Sequence, residues 1–256
     1  MNRIYLFFAT LLFVSQGLWA QEPVADNSFL IEEAYNQEPG VVQHISNLVY
    51  SRKSKDLELS FTQEWPFLSQ THQLSYTIPY SSVSSGDVKG LGDVYLNYRY
   101  QALTQEAGAA FSLRFSVILP SGSEKKNLGT GKVGYQINLP FSRQAAEKWM
   151  VHANAGATMT PGVKTPSGKE TMIDYHFGGS TIWLMKWNVN FMIEYLAVFE
   201  DDGTKHTAVH TISPGFRYAY NAGSLQIVPG IGLPIQLNDS DKTASLFFYL
   251  SLEHPF

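Results

Sequence analysis

The 256-residue chain contains no cysteine, little charge and no helix-length apolar run beyond its first turns, and each absence removes a class of explanation. Without cysteine there is neither a disulfide framework nor a thiolate metal or redox centre. Charged residues make up 16% of the chain and the formal net charge is -4, which excludes a basic nucleic-acid surface and the composition of a disordered chain. After residue 20, charges, glycines and polar residues interrupt every apolar stretch, so no later segment reads as a membrane-spanning helix. The length suits one domain.

What is present begins with Met1-Asn2-Arg3 and an apolar run from Ile4 to Val14 broken only by Thr10, followed by Ala20 before the polar Gln21-Glu22-Pro23. This run is shorter than the ~20 residues a spanning helix needs, so residues 1–20 read as a cleaved secretion signal rather than an anchor.

Further along, alternation dominates. Phe111, Leu113, Phe115, Val117 and Leu119 enclose Ser112, Arg114 and Ser116, and Val133, Tyr135, Ile137, Leu139 and Phe141 enclose Gly134, Gln136 and Asn138. Arg99, Glu194 and Arg217 also fall between apolar or aromatic neighbours, which places them on a polar face. The alternating segments span about 9–11 residues, the length of a tilted strand crossing a bilayer, where strands of water-soluble proteins average nearer 5–6. The expected fold is all-β: a transmembrane antiparallel up-and-down barrel over residues 41–256. About twelve strands are expected, near 41–50, 56–65, 72–80, 92–102, 109–119, 132–142, 149–159, 171–183, 187–199, 208–220, 224–235 and 244–256, an even number as in single-chain bacterial barrels.

Connections should alternate between tight periplasmic turns and longer outer loops. Met185-Lys186 and Asn221-Ala222-Gly223 read as turns, with Ser142 to Lys148 longer than a turn needs to be. Ser81 to Gly90, 120–131, 161–170 and 201–206 read as polar loops. Trp65, Trp149, Trp183 and Trp187 all fall beside the turns, as interfacial aromatics would.

Residues 21–40 do not alternate and form a periplasmic N-terminal segment. Asn27-Ser28 before Phe29-Leu30-Ile31-Glu32-Glu33-Ala34-Tyr35 predicts a capped short helix. Phe29, Glu32, Glu33 and Tyr35 are the candidate residues of a plug; the alternative is an ordered tail resting on the first strand.

Asp26 to Glu38, Gly90-Leu91-Gly92-Asp93-Val94, Leu119-Pro120-Ser121-Gly122 and Gly129-Thr130-Gly131 resemble the outer-membrane family labelled MetA-pathway of phenol degradation, across nearly all of the mature chain. The resemblance implies an outer-membrane barrel with a transport function, without implying that the solute is a phenol. The terminal Phe256, with Leu252, Leu250 and Phe248 at alternate positions, looks like the C-terminal signal read by the barrel assembly machinery, from which His254 and Pro255 depart.

Enzymatic chemistry has weak support. Gly129-Thr130-Gly131-Lys132-Val133-Gly134 matches G-x-G-x-x-G, but a strand rather than a helix follows, so no dinucleotide cofactor is expected. His44 and Ser46 share a strand face without a nucleophile elbow or a clear acid, and His210 and Ser213 lie on opposite faces, so no catalytic residue is assigned. His152, His176 and Asp174 lack tight ligand spacing, and no metal is expected. The candidate lumen-lining residues are Glu58, Arg99, Arg114, Glu194 and Arg217. The partners expected are outer-membrane lipid, the assembly machinery through Phe256 and a small-molecule solute, aromatic or apolar ones included, with no nucleic acid. A narrow uptake channel leads, ahead of a closed structural or surface-interaction barrel and, behind both, a lipid-modifying enzyme.

Overall fold

In the computed structural model the described residues are 28–83, 86–165, 168–186, 188–201, 206–238 and 243–256. The expected signal, Asn27 of the expected cap, Trp187 and residues 202–205 lie outside them. Among the described residues, twelve antiparallel strands follow one another around the sheet. They are β1 (Val41–Ser51), β2 (Leu57–Phe67), β3 (Ser69–Val83), β4 (Val88–Leu91 continuing as Val94–Leu103), β5 (Ala110–Leu119) and β6 (Gly134–Asn138 continuing as Phe141–Ala146). Then come β7 (Trp149–Thr165), β8 (Gly168–Leu184), β9 (Val189–Asp201), β10 (His206–Tyr218 continuing as Tyr220–Ala222), β11 (Leu225–Gly232 continuing as Ile235–Gln236) and β12 (Ser245–Pro255). β1 pairs with β12 from Val41 opposite Pro255 to Ser51 opposite Ser245, which closes the barrel and leaves no unpaired edge.

The alternation sorts the side chains inside out relative to a protein surrounded by water. Leu96, Tyr98, Tyr100, Leu113, Phe115, Tyr135, Ile137, Phe177, Ile193, Phe216, Phe248 and Leu250 are exposed, while Asn97, Arg99, Ser112, Ser116, Asn138, Asn190, Glu194, Arg217 and Ser251 are buried. Such a belt is stable only against hydrocarbon, as in a bilayer-spanning barrel. Trp149 and Trp183 stack at 6.0 Å near the end that carries the short turns, the end to which Trp65 also belongs.

Several connections are shorter than expected. β7 and β8 pair through Lys164 opposite Lys169 and Thr165 opposite Gly168, inside the stretch 161–170 expected to be a loop. β3 and β4 likewise pair through Val83 opposite Val88. Polarity ends the membrane-embedded part of a strand, not the strand, because beyond the bilayer its side chains meet water while its backbone stays paired. At the other end β6 runs to Ala146, so Glu147-Lys148 is the whole turn where Ser142 to Lys148 was expected.

The expected helix over Phe29 to Tyr35 does not form. Residues 28–37 take an irregular path, buried for the most part within the barrel. The physical reason is that side chains of the wall satisfy backbone groups that a helix would pair internally.

Candidate functional site

The lumen is built from inward positions of the strands and from residues 28–38 lying among them. Glu194 of β9 is fully buried, and its Oε1 accepts hydrogen bonds from the backbone N–H of Phe29 (3.0 Å), Leu30 (2.8 Å) and Ile31 (3.2 Å). Three converging N–H groups on one carboxylate oxygen make an anion cradle, here formed by the inner segment around a wall residue. Ser28 Oγ donates to Ser180 Oγ at 2.6 Å, Ala34 N–H donates to Ser142 Oγ at 2.8 Å, and Ser112 Oγ donates to the Ala34 carbonyl at 2.6 Å. Further down, Gln37 N–H donates to Gln73 Oε1 (2.7 Å), and Gln37 Nε2 donates to Gln43 Oε1 (2.5 Å).

Shape complements these bonds. The Phe29 ring stacks on Phe247 with centroids 5.2 Å apart and lies 5.3 Å from that of Tyr249. Its recess exists because three inward positions are glycine: a Cβ on Gly230 would lie 2.5 Å from Phe29 Cζ, one on Gly215 2.6 Å from its Cε2, and one on Gly232 3.1 Å from its Cδ2. Gly178 does the same for Ile31, whose Cδ1 would be 2.5 Å from an added Cβ. Ile45, Met150, Ile182, Leu184, Met192 and Val228 join Phe29 in a buried apolar cluster inside an otherwise polar barrel.

A second junction is ionic. Arg99 of β4 donates through Nε to Asn36 Oδ1 (2.8 Å), through Nη1 to Glu32 Oε1 and the Glu33 carbonyl (3.2 Å each), and through Nη2 to the Tyr35 carbonyl. Arg114 of β5 holds the other Glu32 oxygen, Nη1 to Oε2 at 3.0 Å, and Asn138 Nδ2 of β6 donates to the same atom at 2.5 Å. Glu64 lies 3.7 Å from Arg99 Nη2 and accepts from Gln73 Nε2 at 2.7 Å. Burial, and then the charge of Glu33, push the Tyr35 phenol up to about 12, so it remains a donor, directed at Met150 Sδ at 3.8 Å.

The sequence-expected residues therefore separate. Phe29, Glu32, Glu33, Tyr35, Arg99, Arg114 and Glu194 share the junctions between wall and inner segment. Arg217 is buried on β10 opposite Asn190 and Gly230. Glu58 sits apart, exposed at the end with the long loops, where it lines a cavity of about 520 Å3 with Lys53 and Asp56. Asn36, Gln37, Glu64, Gln73, Ser142 and Ser180 are not marked as site residues by the sequence, and Asn138 only as one of a polar face; the strand residues carry the signal of a polar type at an inward position, whereas Asn36 and Gln37, outside any alternating stretch, carry none. His152 pairs with Ser142, His176 with Asn138, and Asp174 with the Asp201 N–H, and among the described residues no three potential ligands cluster for a metal. His44 meets His254 at 3.3 Å rather than Ser46.

The inner segment divides the lumen. On the long-loop side a vestibule of about 430 Å3 is lined by Glu32, Glu64, Arg99, Arg114, Asn138 and His176, among others. On the turn side a cavity of about 650 Å3 is lined by Glu33, Tyr35, Asn36, Gln37, Gln70 and Glu253, among others. In the glycine-rich stretch 129–134, residues 129–133 form a loop whose anchor is Asp93: Oδ1 accepts from Gly122 N–H and Oδ2 from Thr130 N–H, both at 2.9 Å, and a strand begins at Gly134.

Comparison with known proteins bears on this architecture. A family profile described as "Putative MetA-pathway of phenol degradation" matches residues 40–238. No curated protein matches the chain. The COG4313 outer membrane channel from Pseudomonas putida F1 is similar in structure, with a TM-score of 0.65 at 13% identity over 87% of this chain and 98% of that one. The NanC porin gives a TM-score of 0.59 at 8% identity over 83% of this chain and 100% of its own. At these identities the likeness is one of fold.

Proposed function

From the premise that this chain belongs to the family described as MetA-pathway of phenol degradation, we propose that it is an outer-membrane channel for small molecules whose pore is held shut by residues 28–38 of its own chain. The observation that carries this reading is the seating of that segment between two cavities by bonds from its backbone and side chains to inward residues of the wall. A structural filler would be expected to merge with the wall through apolar packing or a sheet ladder, whereas most of these contacts are discrete polar ones that can be exchanged for water or solute. The short-turn end is the periplasmic one, in keeping with single-chain barrels. Transport rather than catalysis agrees with both structural neighbours being named as a channel or porin.

The apolar cluster of Met150, Ile182, Leu184 and Met192 favours a second reading, a permanently sealed structural barrel. Because the chain has no cysteine, Ser28→Cys with Ser180→Cys places a single designed disulfide between the segment and β8, replacing an oxygen pair 2.6 Å apart. In planar bilayers the intact protein is expected to show conductance steps that vanish when this pair is oxidised and return on reduction, and a variant lacking residues 22–38 is expected to conduct continuously. If the truncated barrel folds, shown by heat-shifted migration and circular dichroism, yet never conducts, the sealed barrel is correct.

A further inference from the structure

Arg99, Arg114 and Asn138 occupy one level of the barrel. The register sets Gln73 of β3 opposite Arg99 of β4, Arg99 opposite Arg114 of β5, Arg114 opposite Asn138 of β6, Asn138 opposite Gly156 of β7 and Gly156 opposite His176 of β8. Gly156 leaves room for the His176 ring, which would be 2.5 Å from an added Cβ, to reach across to Asn138 Oδ1 at 3.0 Å. Two guanidinium groups directly opposite each other on neighbouring strands repel, and the arrangement is stable only with an anion between them. The anion present is Glu32: one oxygen meets Arg99, the other Arg114 and Asn138.

We propose that this row is a carboxylate-recognition site, that Glu32 occupies it in place of a solute carboxylate, and that a small monocarboxylate entering the vestibule opens the pore by competing with Glu32. This rests on the channel reading above and names its solute class. Three observations support it. The vestibule of about 430 Å3 is lined by Glu32, Arg99, Arg114 and Asn138 together, so a solute from the loop side meets the ion pair directly. Arg114 is the more open of the two cations: its side chain is 23% exposed against 4% for Arg99, with Nη1 on Glu32 and Nη2 on Gln136 Oε1 at 2.8 Å, so a solute carboxylate reaches its planar guanidinium first. Arg99 also holds Asn36 and the Glu33 and Tyr35 carbonyls, so an anion that claims Arg99 loosens residues 32–36 as a unit.

Charge sets the class. Within the row itself, with Glu32 displaced, Arg99 and Arg114 face Glu64, a local balance of one positive charge that a monoanion neutralises and a dianion overshoots. Asp174 and Glu200 line the same vestibule and disfavour the entry of highly charged anions.

The test compares butyrate with butyramide, which has a similar shape and no charge, added to the loop side of the intact protein in planar bilayers. Butyrate is expected to raise the open fraction at least tenfold and saturably, with butyramide inert. Glu32→Gln is expected to be open without butyrate and indifferent to it. Arg114→Lys, which keeps the charge and removes the fork, is expected to need about tenfold more butyrate, and it serves where Arg114→Gln fails to fold. Equal responses to butyrate and butyramide overturn the proposal. So does silence toward butyrate in a protein whose designed disulfide, made by S28C with S180C, still gates conductance; failure of that disulfide to gate overturns the channel reading instead.

Discussion

Between Val41 and Ser51 each residue faces a partner on β12 and most face another on β2, whereas the N–H groups of Phe29, Leu30, Ile31, Ala34, Asn36 and Gln37 are held by side chains of the wall. The two regions distribute their stability differently. A ladder spreads it over many equivalent backbone bonds, and changing one side chain leaves them in place. The inner segment concentrates it, since Glu194 alone receives three backbone bonds and Arg99 alone holds four groups of the segment. Substitutions in the inner segment's holders can therefore open the lumen without unfolding the barrel, and substitutions in the wall can do the reverse.

The largest effect is expected at Glu194→Ala. Hydrogen bonds to charged groups contribute about 1.5–3 kcal/mol each, and three end on this carboxylate, so the open fraction should rise by about two orders of magnitude or more even with strong non-additivity. Single-channel recording gives the open fraction, and urea unfolding of the same variant in vesicles should move little. Phe115→Arg makes the converse case. Phe115 is exposed on the outer face near the middle of β5, where a buried cation costs about 2–4 kcal/mol against lipid. The unfolding midpoint should fall while the open fraction stays at the parent value. A change in gating as large as that of Glu194→Ala would mean that wall and segment act as one body.

The same contrast decides what was legible in the sequence. Phe111 to Val117 alternate strictly, and that pattern alone placed Arg114 inward, as the same period placed Arg99, Glu194 and Arg217. It could not show that Arg99, Arg114 and Asn138 share a level, because period two fixes the face of a residue and not its neighbour across the strand. In Phe29 to Tyr35 the local helix signals were overridden by distant partners, more than 100 residues away for Glu194 and Ser142. Glu32 and Glu33 read alike in sequence, yet the Glu32 carboxylate bridges the two arginines, while Glu33 lends its carbonyl to Arg99 and lines the turn-side cavity. Gly215, Gly230 and Gly232 carry no signal in the sequence pattern, and their use emerges only with a ring lying on them.

Those glycines supply the smallest and most local test. Gly230→Ala adds one methyl group, which would lie 2.5 Å from Phe29 Cζ inside a packed recess bounded by Phe247 and Tyr249. Overpacking of this kind costs about 1–3 kcal/mol, and here the strain can be relieved by moving the segment rather than the wall, so the open fraction should rise by about tenfold. Gly179→Ala is the matched control: it lies in β8 next to the glycine under Ile31, but the nearest atom to an added Cβ is the His152 carbonyl oxygen at 3.5 Å, an ordinary contact. The same chemical change should therefore leave gating unaltered at 179 and disturb it at 230. Equal effects at both positions would show that alanine acts through strand backbone entropy, and that the fit of Phe29 against its glycines contributes nothing to closure.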